Sequence, residues 1–330
     1  MLRCKLDNCP VSKDGRCLEG REASSCPNLI VEAETSPAEP LLPSVPAAKG
    51  AQPVFDSLPK VLPLEISEAR IFARRGRAIV VALAGMPDCG KTSLLARLHQ
   101  LFQAGPLSGF DFAGCRSLPH FEELNWLATV ESCVQQPKMP HSSAQFDNSL
   151  LHLAVRHTVS SPRVDLLLND IAGETFERAV AAQSACERLL LLSRADHLVV
   201  LADGAALADP ARTHHHVAQV HDFLQRVIQS GQCGVRTALH LVVSKLDKLG
   251  GNTSVADRLE ASIKASFMEK FGSISCCRVA ARPMDGSLPT VQPITNLFTS
   301  WVNTTHRYPM PLLPSVSRSV WARDYCRYGS

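Results

Sequence analysis

One eight-residue segment limits the fold of this chain more than any other feature. Gly85-Met-Pro-Asp-Cys-Gly-Lys-Thr92 matches the pattern G-x-x-x-x-G-K-[ST]. It follows the apolar run 78–84 and precedes a helical pattern that begins at Ser93. In this context the loop N–H groups and the helix N-terminus surround phosphate groups. The segment therefore predicts a phosphate-binding loop between a β-strand and an α-helix.

The residue types of this loop fit that chemistry. The two glycines allow the backbone to form a concave nest, Lys91 should reach the β- and γ-phosphates, and the Thr92 hydroxyl should bind Mg²⁺. We interpret Cys89 as packed rather than reactive. The predicted nucleotide-binding residues are Gly85, Asp88, Cys89, Gly90, Lys91, Thr92 and Ser93, and Lys91 is also predicted to be catalytic.

The pattern around the loop predicts a mostly parallel six-stranded sheet in an α/β fold. The six apolar runs lie at residues 78–84, 150–156, 164–168, 197–202, 238–243 and, more weakly, 275–280. Helical patterns separate most of them, at residues 92–102, 175–192, 214–229, 255–271 and 290–302. This alternation favours helices on both faces of the sheet. The second and third runs are too close for a parallel crossover, so they predict an antiparallel edge hairpin.

A second motif follows the third run. Asp170-Ile-Ala-Gly-Glu174 resembles the D-x-x-G element of GTPases. In that element the Asp holds the Mg²⁺ shell, and the Gly N–H meets the γ-phosphate. Asp170 is therefore a predicted Mg²⁺ and nucleotide ligand, and Gly173 a predicted catalytic residue.

A third motif indicates the base. Ser244-Lys-Leu-Asp247 ends an apolar strand and resembles the N/T-K-x-D motif of GTPases. There the Asp accepts from guanine N1–H and the exocyclic amine, a donor pair that adenine lacks, while the Lys stem packs on the ring. Ser244 replaces the usual Asn or Thr, and we expect its hydroxyl to tie this loop to the phosphate loop. Ser244, Lys245 and Asp247 are predicted to bind the base, and Ala281 to lie near guanine O6.

In this order the motifs make the chain resemble the Ras-like GTPases of the TRAFAC class over residues 77–303. The stretches 9–20, 112–121 and 170–176 resemble more closely the bacterial double-GTPase proteins. That resemblance implies binding of GTP and GDP with Mg²⁺ and a switch that partner proteins read. It also implies a second GTPase-like subunit, an effector and a conflict-type system.

The chain departs from the family pattern at two positions that matter for hydrolysis. The segment 105–148 is longer than a minimal first switch and has no obvious Mg²⁺-binding Thr, so we favour Ser143 as the Mg²⁺ ligand. A solvated loop serine is the alternative. Glu174 occupies the place of the water-orienting Gln and is a predicted catalytic residue, although it could instead complement the helix dipole. Hydrolysis should be slow without a partner, and a nucleotide-binding scaffold with little turnover remains the second class.

The first 30 residues contain four of the 12 cysteines: Cys4, Cys9, Cys17 and Cys26. No apolar export signal precedes them, so the expected compartment is the cytoplasm and metal binding is favoured over disulfides. Four thiolates predict one structural Zn²⁺. An iron–sulfur cluster and unliganded cysteines remain open. Residues 31–63 are rich in proline and predict a linker between this module and a GTPase domain over residues 64–303.

The remaining features concern partners. Residues 304–330 contain all three tyrosines and several arginines, which indicates a docking or packing element. A net charge of +3 is too small to indicate nucleic-acid binding. No apolar run approaches the ~20 residues of a membrane-spanning helix. His214-His-His216 is interpreted as a solvated helix start, because three adjacent residues cannot share one helix face.

Overall fold

The computed structural model describes residues 2–4, 29–31, 63–127, 147–159, 163–250, 253–283 and 289–303. The chain divides into two compact units, residues 1–56 and 57–330. In the first unit, β1 (Leu2–Cys4) and β2 (Leu29–Val31) pair antiparallel, with Cys4 opposite Leu29. The predicted zinc ligands Cys9, Cys17 and Cys26 lie outside the described residues, as do the tail 304–330 and most of the linker.

The second unit contains the central sheet and its helices. Its strands are β3 (Leu64–Glu65), β4 (Arg77–Gly85), β5 (Phe110–Gly114), β6 (Ser149–His157), β7 (Arg163–Asp170), β8 (His197–Asp203), β9 (Ala238–Ser244) and β10 (Ser273–Arg278). Its helices are α1 (Ile66–Arg75), α2 (Lys91–Ala104), α3 (Leu118–Leu127), α4 (Gly173–Ala181), α5 (Gln183–Glu187), α6 (Gly204–Ala208), α7 (Pro210–Gln229), α8 (Leu246–Leu249), α9 (Ser254–Phe267) and α10 (Gln292–Val302).

The strand order confirms the predicted fold class. Strands β10, β9, β8, β4 and β7 are neighbours in that order and run parallel, and β6 pairs antiparallel with β7. All six predicted strands are present. In the described part of the chain the sheet has eight strands rather than six, because β3 and β5 also pair antiparallel with β6. The predicted hairpin therefore does not form the outermost edge of the sheet.

Alternation along the central strand explains why both faces of the sheet are covered. On β4, Ile79, Val81 and Leu83 belong to one buried cluster, and Ala82 and Ala84 to the other. Side chains of a strand point alternately to the two faces, so an apolar run buried on both sides fits a central parallel strand. The first cluster also contains the apolar faces of α2 and α10, and the second those of α4, α7 and α9.

One helix prediction is wrong in its continuity. The pattern 175–192 forms two short helices, α4 and α5, followed by a 3₁₀ turn at Leu192–Arg194. The break falls at Ala182, whose backbone is extended (φ −141°, ψ 129°). The guanidinium of Arg226 on α7 donates to Val180 O at 2.5 Å, which satisfies a carbonyl at the end of α4. The break is thus supported by a residue from a distant helix.

Candidate nucleotide-binding site

The phosphate loop lies at the carboxyl end of the central strand. β4 ends at Gly85, and α2 begins at Lys91. A Cβ at Gly85 would lie 2.7 Å from Cys89 Sγ and 2.8 Å from Leu201 O, so only glycine fits there. Asp88 and Gly90 have φ values of 60° and 90°, in the left-handed region that turns the loop back on itself. The sequence thus folds locally into the tight loop that the motif predicts.

Lys91 holds its ammonium group against the backbone of the same loop. Its Nζ donates to Gly85 O at 3.0 Å and to Met86 O at 3.1 Å, and only 4% of the residue is exposed. Both acceptors are neutral carbonyl groups. The loop therefore presents a nearly buried positive charge, which attracts anions strongly.

Asp170 joins the phosphate loop to the neighbouring strand. It is the last residue of β7, and its Oδ2 accepts a hydrogen bond from Thr92 Oγ1 at 2.8 Å. Its Oδ1 is buried and has no hydrogen-bond partner among the described residues. Burial raises the pKa of this carboxyl group, while nearby Lys91 lowers it. A buried carboxylate oxygen with unused lone pairs, beside a hydroxyl group, fits a hard divalent cation such as Mg²⁺.

Gly173 packs the second motif directly on the phosphate loop. A Cβ at Gly173 would lie 2.3 Å from Pro87 N and 2.4 Å from Pro87 Cα. Such distances are far inside van der Waals contact, so any larger residue would push the two loops apart. Glu174 follows in the first turn of α4 and is exposed. The D-x-x-G segment therefore responds sterically to any movement of the phosphate loop.

The sequence analysis missed Asp147, a buried carboxylate at the exit of the long insertion. Its Oδ1 accepts from Ala172 N at 2.9 Å and its Oδ2 from Thr175 Oγ1 at 2.5 Å. Burial raises its pKa. The register of β6 and β7 could have identified it, because residues before an antiparallel strand face those after its partner. The search for a hydroxyl ligand led instead to Ser143, which lies outside the described residues.

The base-specificity motif lies two strands away, at the same edge. Ser244 ends β9, and Lys245 has a left-handed backbone (φ 47°). The expected tie from Ser244 to the phosphate loop is wrong, because its hydroxyl donates to Ala202 O at 3.2 Å. The two loops are nevertheless neighbours, since a Cβ at Gly90 would lie 3.9 Å from Ser244 Cβ.

The segment after β10 lies beside this motif. Leu246 N donates to Val279 O at 3.1 Å, which brings the predicted residues Asp247 and Ala281 to neighbouring segments. Asp247 is half-buried in α8, and Ala281 packs against the cluster that covers α2. The predicted base-binding residues are therefore collected at one end of the site.

Charges of both signs surround the centre of the site. Lys91 and Lys245 lower the pKa of the Cys89 thiol, and Asp203 and Asp170 raise it. Burial raises it more than any of these charges, and Cys89 is fully buried. A buried, protonated thiol is inert, which agrees with the interpretation of Cys89 as a packed residue.

The carboxyl ends of four parallel strands thus bring the three motifs to one edge of the sheet, where open α/β folds bind ligands. This fold and this order of motifs define the class of P-loop GTPases. Within that class, a sequence model of the family Double-GTPase 2 matches residues 79–302, more than half of the chain, and the chain belongs to this family. The predicted resemblance to the double-GTPase proteins is confirmed.

Several solved structures are similar to this chain at low identity. The signal recognition particle receptor SRb-GTP/SRX complex from Chaetomium thermophilum has a TM-score of 0.42 and 18% identity, over 67% of this chain and 97% of that chain. Bacterial selenocysteine-specific elongation factor EF-Sec has a TM-score of 0.36 and 15% identity, over 70% of this chain and 30% of its own. Era from Aquifex aeolicus bound to GDP·AlF4⁻ has a TM-score of 0.34 and 14% identity, over 70% of this chain and 58% of its own. No curated protein matches the chain.

Two searches for other features cover only the described ranges. No helix in them is long and apolar enough to cross a membrane. They also contain no group of three or more His, Cys, Asp or Glu residues that could hold a metal ion. This second search does not reach the predicted zinc ligands, because three of the four cysteines are outside the described residues.

Proposed function

We propose that this protein is a guanine-nucleotide switch that binds GTP and GDP with Mg²⁺ and hydrolyses GTP slowly. The observation that carries the proposal is the meeting of the three GTPase motifs at one sheet edge, in a member of the Double-GTPase 2 family. The shape and charge of each part of that edge support a separate step.

The phosphate end would bind the nucleotide through the loop N–H groups and Lys91. Lys91 has only neutral carbonyl acceptors at 3.0 and 3.1 Å, which phosphate oxygens would replace or supplement. Thr92 and Asp170 would hold Mg²⁺, and the free Oδ1 of Asp170 supports this assignment. The bound ion would supply neutralisation of phosphate charge. In this assignment Gly173 offers its N–H to the γ-phosphate side.

The base end would select guanine. The Asp247 carboxylate is an acceptor for the N1–H and exocyclic amine of guanine, and the Lys245 stem would cover one face of the ring. Adenine offers a different donor pattern, so its binding would leave a carboxylate without partners. Specificity of this kind, based on unpaired polar groups, is strong.

Glu174 is the reason to expect slow turnover. It is an exposed carboxylate at the position where the related enzymes orient water, and a negative charge is repelled by a γ-phosphate. We therefore propose that a partner protein completes the catalytic site. The same observation favours a second candidate, a scaffold that holds GTP with little turnover.

We further propose that partner proteins read the nucleotide state, among them a second GTPase-like subunit and an effector, in the cytoplasm. The N-terminal module would hold Zn²⁺ as a tethered adaptor, and the tail 304–330 would dock on a partner. The pairing of β1 with β2 supports a compact module, because it brings Cys4 opposite Leu29, close in sequence to Cys26.

A single-turnover GTP assay on the full chain tests this proposal. The purified protein, alone and with its neighbouring gene products, should release phosphate slowly alone and faster with a partner. Lys91→Ala is the control and should weaken phosphate binding whatever the base. Tight GTP binding with no phosphate release under either condition would favour the scaffold, and absence of guanine-nucleotide binding would contradict both.

A further inference from the structure

Asp203, the last residue of β8, lies against the base-specificity motif and belongs to none of the three motifs. Its Oδ2 accepts from Lys245 Nζ at 3.0 Å, and its side chain is 12% exposed. We propose that Asp203 is a positioning residue for base selection, which holds the Lys245 side chain in the place where it covers the base. The inference depends on the proposed guanine-nucleotide function of this site.

The carboxylate is itself fixed in orientation. Its Oδ1 accepts from Ala205 N at 2.9 Å and caps α6, so only Oδ2 is directed at Lys245. The backbone N–H of Asp203 donates to His216 Nε2 at 2.8 Å, and His216 is buried. His216 is thus not part of a solvated helix start, as its sequence context predicted. Because Asp203 is held at three atoms, it can act as a fixed anchor.

The backbone next to Asp203 also fixes the other end of the lysine. A Cβ at Gly204 would lie 2.4 Å from Ser244 O and 2.7 Å from Lys245 O, so the two loops touch. Lys245 adopts φ 47°, which costs a non-glycine residue about 1 kcal/mol or more and needs support from its surroundings. The contact with Gly204 and the bond from Leu246 N to Val279 O supply that support.

These two constraints give the lysine its function. An unrestrained lysine stem samples many rotamers, and ordering it costs up to about 2 kcal/mol. With the backbone set by Gly204 and the Nζ set by Asp203, the stem is stretched between two fixed ends before the nucleotide arrives. Ser244 does not take part, because its hydroxyl bonds to Ala202 O. Asp203 therefore supplies a tie that Ser244 was expected to supply.

Asp203→Asn tests this role without removing the helix cap. Asparagine keeps the size and an acceptor for Ala205 N, but it loses the charge that holds Lys245. Asp209→Asn is the matched control: Asp209 also caps a helix, through Ala211 N at 2.9 Å, and pairs with Arg212 at 2.7 Å, on α7. Equilibrium binding of GDP, ADP and pyrophosphate, each with Mg²⁺, is measured for the wild type and both variants.

We expect Asp203→Asn to weaken GDP binding about tenfold, the effect of one charge-assisted hydrogen bond. The preference for GDP over ADP should fall by the same factor, and pyrophosphate affinity should stay within about twofold of wild type. In a Lys245→Met background, Asp203→Asn should have no further effect, because the residue acts only through that lysine. Asp209→Asn should behave as wild type.

The outcomes separate this inference from the proposed function. If the wild type prefers GDP and Asp203→Asn keeps that preference, the inference is wrong and the function stands. An equal loss in the Lys245→Met background, or an equal loss for pyrophosphate, would also overturn it. If the wild type binds ADP as tightly as GDP, the proposed function fails, and the inference fails with it.

Discussion

Replacing Gly173 by alanine would place a methyl group inside the van der Waals radius of the phosphate loop. The added carbon would lie 2.3 Å from Pro87 N and 2.4 Å from Pro87 Cα. Packed carbon atoms lie about 3.5–4 Å apart, so one loop must retreat by about 1 Å or more. Both contact atoms belong to the backbone, and no side-chain rotation can relieve the clash.

The energetic cost follows from what that shift breaks. The bond from Ala172 N to Asp147 Oδ1, now 2.9 Å long, would exceed the limit of a hydrogen bond. It would leave a buried carboxylate oxygen unsatisfied, which costs about 1–3 kcal/mol and lowers Tm by several degrees. A displacement of about 1 Å next to the reacting groups can cost a further factor of about 100 in the rate of GTP hydrolysis.

Thermal unfolding, GDP binding and single-turnover GTP hydrolysis measure the three consequences. Gly173→Ala should lose stability and hydrolysis, while GDP affinity stays within about twofold, since Gly173 is assigned to the γ-phosphate side. Gly234→Ala is the control, because a Cβ there meets no atom within 4 Å. Wild-type stability and hydrolysis in Gly173→Ala would refute the reasoning.

Three further predictions concern other parts of the chain. Burial lowers the pKa of His99 and of His240 to about 4, from 6.5, so their neutral forms stabilise the fold above pH 6.5. The free energy of unfolding should fall by up to about 3 kcal/mol for each between about pH 6.5 and about pH 4; urea titrations at several pH values check this, and a constant stability would contradict it. Asp147→Ala should cost about 2–3 kcal/mol in the same assay, because two buried donors lose their acceptor, whereas the exposed Asp222→Ala should cost less than about 0.5 kcal/mol. Elemental analysis of the anaerobically purified full chain should find about one zinc per molecule without a visible chromophore, and an iron content instead would favour the cluster.

The parts of the fold that the sequence predicted are those set by local chemistry. The phosphate loop depends on residues within one segment, and its two glycines already determine the turn at Gly85 and Gly90. The antiparallel pairing of β6 and β7 followed from the short connection between them. The meeting of Asp170 and Asp247 at one edge followed from the shared direction of parallel strands.

The parts that were missed depend on distant residues. The break at Ala182 has no local signal, since alanine favours helices, and it is supported by Arg226. Asp147 gains its role from the register between two strands and from the exact exit point of a long insertion. His216 is buried because α7 begins at Pro210, four residues before the predicted start. In each case tertiary contacts outweigh the local pattern.

Replacement of Asp247 by asparagine tests the central claim, that this site selects guanine. Asparagine donates a hydrogen bond where the carboxylate accepted one, so it complements the additional carbonyl group of xanthine. Equilibrium binding of GDP, ADP and XDP with Mg²⁺ to the wild type and to Asp247→Asn is the decisive measurement. The account predicts that the wild type prefers GDP strongly over both, and that the variant prefers XDP over GDP. Equal affinity of the wild type for GDP and ADP, or an unchanged preference in Asp247→Asn, would contradict it.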